Sequence, residues 1–172
     1  MQRLVGSFLI IFATSCAGYI YAERQQAYIE HIRYLRYVSG LIKGELEYTG
    51  APLHEIFRAV GERVKEPYRS WLLGTADAVQ TRDESGFSRI WNRCVDSGLS
   101  DLELHAEHSI LIKEAGVFLG QADSETIVHS MQLYLNRMDL EIEKLREGLA
   151  SKKKLGKCLG IMGGIFLVII LL

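Results

Sequence analysis

The strongest constraint on this chain is where charge is missing. From Leu4 to Ala22 there is no Asp, Glu, Lys or Arg in 19 residues, and from Cys158 to Leu172 there is none in 15. A helix that spans a membrane needs about 20 apolar residues, with about 17 as the lower bound. The first segment meets that length. The second would be roughly 22 Å long as a helix, and Lys157 can lengthen its span by reaching its ammonium to the headgroups. The glycines at 160, 163 and 164 give that segment a small-residue surface of the kind that packs closely against another membrane helix.

An apolar amino-terminal segment also fits a cleaved signal peptide. "ATSC" at residues 13–16 has a weak likeness to a lipoprotein box, with Cys16 as the residue to be modified and Ala13 where a Leu is usual. Two features oppose cleavage. The positive flank is only Arg3 and the amino terminus, and the apolar run passes through Gly18–Ala22 directly into a helical pattern. The expectation is a transmembrane helix within residues 1–22, a domain over 23–151, and a basic flank with a second transmembrane helix over 152–172.

Charge sets the expected orientation. Lys152, Lys153, Lys154 and Lys157 precede the second segment, Arg24, Arg33 and Arg36 follow the first, and only Arg3 lies on the far side. Both segments therefore place the middle of the chain in the cytoplasm. All 21 acidic residues fall between Glu23 and Glu147, against 15 of the 20 Lys and Arg, a net of −6. An acidic middle with no basic stripe argues against nucleic acid as the main partner, whereas Arg33, Arg36 and Lys43 suit attraction to anionic lipid. Of the three cysteines, Cys16 and Cys158 lie in the apolar ends and Cys94 on an apolar helical face, so no disulfide framework is expected.

Between the ends, apolar residues recur at helical spacing and almost never alternate. Ile32, Leu35, Val38, Ile42 and Leu46 predict a first helix continuous with the apolar segment. Leu53, Ile56, Phe57, Val60 and Val64 form a full amphipathic stripe. A third helix, with Pro67 in its first turn, carries Tyr68, Trp71, Leu72 and Val79. A fourth carries Phe87, Ile90, Trp91, Cys94 and Val95, and Gly98 ends it. Ser100 and Glu103 read as a capping box for a fifth, with Leu104, Leu111, Ala115 and Phe118 on its face and Gly120 as its stop. Asp123 caps a sixth, whose stripe of Ile127, Met131, Tyr134, Met138, Ile142, Leu145 and Leu149 steps by threes and fours. The predicted fold is all-α: a bundle of about six helices, neighbours antiparallel across short loops, flanked by the two transmembrane helices.

Chemistry is scarce. There is no phosphate-binding glycine loop, dinucleotide fingerprint or nucleophile elbow. The best metal candidates are Glu103, His105, Glu107 and His108, but zinc needs three or four converging ligands, and the simpler reading is an exposed polar face opposite Leu104 and Leu111. Glu45 and Glu47 stand at i, i+2, which points them to different sides of a helix, so paired acid–base work is not expected. Tyr68, Trp71, Phe87 and Trp91 read as core. No catalytic, cofactor or metal site is expected.

"ELEYTGAPLHEIF" (residues 45–57) reads as a corner between the first two helices. Gly50 supplies the backbone freedom to leave the first, and Pro52 bars helical dihedrals at Ala51 while fixing its own φ for the next. Thr49 or Gly50 is the expected cap, and Leu53, Ile56 and Phe57 are expected to bury against the helix just left. Glu45, Tyr48 and Glu55 flank the corner and are the candidate partner interface.

Four stretches together, "LVGSFLIIFATSCAGYIYAERQQ", "LRYVSGLIKGELEYTGAPLHEIF", "EAGVFLGQADSET" and "SKKKLGKCLGIMGGIFLVIILL", resemble the stage III sporulation protein AB family of endospore-forming bacteria, in order and over the whole chain. The most specific pieces are Glu45, Tyr48, Thr49, Pro52, Leu53 and Glu55, and the Leu119-Gly120-x-x-Asp123 corner. The family pattern places a Gln four residues after that Asp; this chain has Ile127, so any role of that Gln does not carry over.

The resemblance implies a protein of the mother-cell membrane around the forespore, a subunit of the complex encoded by the stage III sporulation operon. That complex forms a channel to the forespore. The family is also similar to the inner-membrane platform protein of type II secretion and type IV pilus machines, and "GAPLHEIF" resembles the Gly-x-Pro-Leu corner of that platform. By that analogy the expected partners are the operon's secretion-type ATPase, docked on the cytoplasmic bundle, and the other membrane subunits of the complex. The alternatives are a secreted or lipid-anchored helical binding protein, and a membrane-bound metalloenzyme using His105 and His108.

Overall fold

A computed structural model describes the backbone of residues 2–81, 86–121 and 123–171, and the side chains of residues 23–81, 86–121, 123 and 125–151. Six α-helices follow in order: α1 (Gln2–Thr49), α2 (Leu53–Gly61), α3 (Tyr68–Gln80), α4 (Phe87–Gly98), α5 (Ala106–Leu119) and α6 (Ser124–Leu171). A single 3₁₀ turn, Ser100–Leu102, separates α4 from α5, and no strand occurs among the described residues. The all-α expectation of about six helices holds. Residues 4–22 and 158–171 are helical in backbone, as the terminal parts of α1 and α6. Their side chains lie outside the described residues, and with them both expected transmembrane segments. Among the described residues no helix is long and apolar enough to cross a membrane.

The chain divides into two compact units, His31–Glu141 and a second composed of Met1–Glu30 with Ile142–Leu172. In the second, Ile29 and Ile142 are buried. The first holds most of the core. In α1, Ile32, Leu35, Val38, Ile42 and Leu46 are all buried, as their spacing requires. In α6, Ile127, Met131, Tyr134, Leu135 and Met138 are buried.

Aromatic packing organises the middle helices. Trp71 of α3 and Trp91 of α4 meet edge to face with ring centroids 5.2 Å apart, and Phe57 of α2 reaches Trp91 at 5.7 Å. Each indole lies against a glycine of the next helix in sequence. A Cβ built on Gly98 would stand 2.8 Å from Cδ1 of Trp71, and one on Gly116 of α5 would press still closer on the Trp91 ring. The Trp91 Nε1–H then donates to the Ile112 carbonyl at 3.0 Å, which satisfies its polar atom where water is excluded.

α1 is fastened to the α2–α3 turn by tyrosines. The Tyr34 hydroxyl accepts from the Lys65 backbone N–H at 3.0 Å, and the Lys65 ammonium sits over the Tyr34 ring. The Tyr68 hydroxyl meets His31 Nδ1 at 2.8 Å; burial, then the nearby Tyr34, pushes its pKa up to about 12.

Two expected helix starts are corrected. Ser100 and Glu103 do not cap α5. Ser100 opens the 3₁₀ turn that buries Leu102, Glu103 takes a left-handed conformation (φ 47°) to reverse the chain, and α5 starts at Ala106 after His105. Leu104 therefore precedes the helix, and His108, Leu111, Ile112, Ala115, Gly116 and Leu119 make its buried face. Pro67 stands just before the first turn of α3 instead of inside it. There the Glu66 carboxylate accepts from the Ser70 N–H (3.2 Å) and hydroxyl (2.7 Å), bonds that hold its pKa below the usual range. Asp123 does cap α6: its Oδ2 takes the Thr126 N–H at 2.9 Å and hydroxyl at 2.5 Å.

The glycine–tryptophan contacts predict a contrast. Gly116→Ala should destabilise the chain by about 1–3 kcal/mol, the usual cost of overpacking. Gly74→Ala, in the exposed interior of α3 with no atom within 4 Å of the new methyl, should stabilise it by about 0.5–1 kcal/mol. Thermal unfolding of the full chain in detergent, followed by circular dichroism, measures both.

A candidate docking corner

The corner at residues 45–57 is built by backbone capping. At the end of α1 the Thr49 hydroxyl donates back to the Glu45 carbonyl at 2.7 Å and accepts from the Ala51 N–H at 3.1 Å. Gly50 adopts φ +58° and its N–H donates to the Leu46 carbonyl at 3.1 Å, closing the helix in the left-handed conformation that favours glycine. Pro52 is the cap residue of α2 (φ −57°, ψ 144°), one step outside the helix, so neither Thr49 nor Gly50 fills that position. Its carbonyl takes the N–H groups of Glu55 and Ile56. Behind the corner Ile56 and Phe57 are fully buried, whereas Leu53 is only half-buried. The Phe57 ring stacks on Phe87 and tilts against Trp91, so its aromatic contacts are with α4.

The outer surface of the corner is unevenly engaged. Tyr48 is 91% exposed, the most exposed large side chain with apolar character among the described residues. The Glu55 carboxylate also faces outward, with His54 Nε2 at 3.9 Å. Glu45 differs: it is mostly covered and its carboxylate grips Arg63 at 2.6 Å, tying the last turn of α1 to the turn after α2. Beside it Glu47 pairs with Lys43 at 2.8 Å. Of the three interface candidates, Tyr48 and Glu55 present free contact area, and Glu45 serves an internal link.

The histidine candidates differ in burial although their ring centroids lie 6.0 Å apart. His105 is exposed and precedes α5, while His108 is buried, so the pair does not form one exposed polar face. Among the described residues no three His, Cys, Asp or Glu side chains are grouped to hold a metal. His108 instead lines a shallow cleft of about 220 Å³ with Glu107, Leu111, Arg137 and Glu141. Its burial was legible in its spacing with Leu111, Ile112 and Ala115, a core stripe that a histidine happens to begin.

Comparison with known proteins gives the family. The model of the stage III sporulation protein AB family matches residues 3–172. The chain belongs to the stage III sporulation protein AB family. Its role is accordingly in sporulation. Stage III sporulation protein AB of Bacillus subtilis (strain 168) is 23% identical over 176 residues, covering all of both chains. A solved structure of a stage III sporulation protein AB shares the fold, with a TM-score of 0.61 at 18% identity over 70% of this chain and 94% of that one.

Burial lowers the pKa of His108, the nearby His105 lowers it further, and Glu141 and Glu107 oppose the shift. The unfolded chain therefore takes up the proton first as pH falls. The stabilisation is complete above the unfolded value of 6.5 and is lost as pH falls below it toward the folded value. His108→Leu should flatten the fall in melting temperature between pH 7.5 and 5.5, measured by thermal scans at each pH.

Proposed function

We propose that this family member is a non-enzymatic platform subunit of the stage III sporulation complex. In this reading the two apolar ends anchor it in the mother-cell membrane around the forespore, and residues 23–151 form its cytoplasmic domain. The observation that carries the reading is the placement of cationic residues: Lys152, Lys153, Lys154, Lys157, Arg24, Arg33 and Arg36 all lie on the bundle side of the uncharged segments, with Arg3 alone beyond them. Lys152, Lys153, Lys154, Lys157 and Arg24, the cations nearest the uncharged segments, would meet anionic lipid headgroups.

The corner would then be the docking point for the operon's secretion-type ATPase, by analogy with the platform subunit of type II secretion and type IV pilus machines. Tyr48 supplies an exposed aromatic anchor, the kind of residue that dominates interface energetics. Glu55, on a domain with a net charge of −6, supplies a charge that a basic face on the ATPase would meet, so the association weakens with salt. The other membrane subunits of the complex would contact the anchoring helices.

Co-purification of the full chain with the ATPase at low salt tests the docking. The expected result is a complex that Tyr48→Ala weakens at least ten-fold and that Glu55→Lys weakens mainly through its association rate. No complex at low salt, with both proteins folded, sinks the docking role.

A further inference from the structure

Four large apolar side chains stand in the open on α5 and α6: Ile110 is 67% exposed, Val117 57%, Leu133 58% and Leu140 60%. They belong to one surface. Glu114 of α5 pairs with Arg137 of α6 through two contacts, at 2.7 and 2.8 Å. Toward one end of this pair Phe118 meets Tyr134, with ring centroids 6.3 Å apart. Toward the other, His108 and Leu111 line one cleft with Arg137 and Glu141. The two helices therefore run antiparallel, with residues 114 and 137 at the same level. Ile110 and Val117 lie four residues before and three after Glu114; Leu133 and Leu140 lie four before and three after Arg137. On a helix these offsets keep side chains on one face. The outer surface thus has three layers: Ile110 with Leu140, then Glu114 with Arg137, then Val117 with Leu133.

We infer that this three-layered face is a self-complementary contact between two copies of the chain. A two-fold axis running parallel to the helices between the facing surfaces lays α5 of one copy over α6 of the other. Under that operation each apolar layer meets its own equivalent. Each Glu114 comes to face the Arg137 of the second copy as well as its own, so the charged layer closes into a ring of alternating sign. An isologous interface demands this kind of self-matching. The match is the more distinctive because the rest of the domain is acidic and repels a second copy, while this patch is neutral.

Size sets the strength of the contact. The four side chains expose on the order of 400 Å² of apolar surface, about as much as the largest patch on an ordinary monomer. That is about half of the roughly 800 Å² per partner that a standard stable interface buries. The contact is therefore weak and reversible between chains in solution, and forms where chains are held at high local concentration.

Site-specific photo-crosslinking of the full chain tests this. With p-benzoylphenylalanine replacing Val117 or Leu133, illumination should give a covalent species of twice the chain mass. The same group at Tyr48, which is more exposed but off the patch, should not. Glu114→Arg, which sets like charges across the axis, should lower the dimer yield at least five-fold. Glu114→Arg combined with Arg137→Glu should restore it, with helical content by circular dichroism unchanged throughout. No dimer from either patch position in a folded chain, equal dimer from Tyr48, or a yield indifferent to Glu114→Arg would each overturn the inference. So would crosslinking only to a different protein, which would assign the patch to another partner.

Discussion

The close approach of Trp91 to Gly116 is the contact on which the middle of the domain depends. An indole is large, and its N–H must find an acceptor when buried. Both needs are met only if α5 offers a residue without a side chain at the contact and a carbonyl one turn away. Gly116 and Ile112 supply these. With α4 held on α5 in this way, the Trp91 ring also meets Trp71 and Phe57. Through them α2 and α3 join the same cluster. Trp71 repeats the close glycine contact at Gly98, but its buried Nε1–H has no acceptor among the described residues. Two glycines that contribute nothing to helix propensity thus set how near the helices lie.

The ion pairs complement this packing. Arg36 forks onto Asp139, Glu45 meets Arg63, Arg58 meets Asp77, Asp96 meets Lys113 and Glu114 meets Arg137. Three of them join successive helices, Glu45–Arg63 joins α1 to the turn after α2, and Arg36–Asp139 joins α1 to α6. Exposed pairs of this kind contribute at most about 1 kcal/mol each, so their value is in register and not in stability. Among the described residues the large apolar side chains left exposed are Tyr37, Tyr48 and the four of the α5–α6 layers.

Much of the fold was legible because the core obeys local rules. Ile32 through Leu46 fall at helical spacing and all are buried; Asp123 begins α6 as its side chain promises; Gly50 turns left-handed where a helix must end. What failed depended on distant contacts. Ser100 and Glu103 have the spacing of a capping box, but Leu102 is drawn into the core and the chain must reverse at Glu103 before α5 can start. Pro52 and Pro67 each fix φ, yet both sit one residue outside the helix they introduce, because the first-turn N–H groups are taken up by the Pro52 carbonyl and the Glu66 carboxylate. Glu45 looked like a surface acid until Arg63, 18 residues away, folded onto it. His108 reads as part of a polar face opposite Leu104 and Leu111, yet it is buried with Leu111 and Ile112 at the next turn.

The platform role proposed for the chain puts its helical domain in the cytoplasm of the mother cell. Protease protection in spheroplasts tests it most directly. The account predicts that the domain survives protease added outside and is degraded only once the membrane is broken. Degradation from outside in sealed spheroplasts would contradict it and favour a secreted or lipid-anchored protein attached through Cys16.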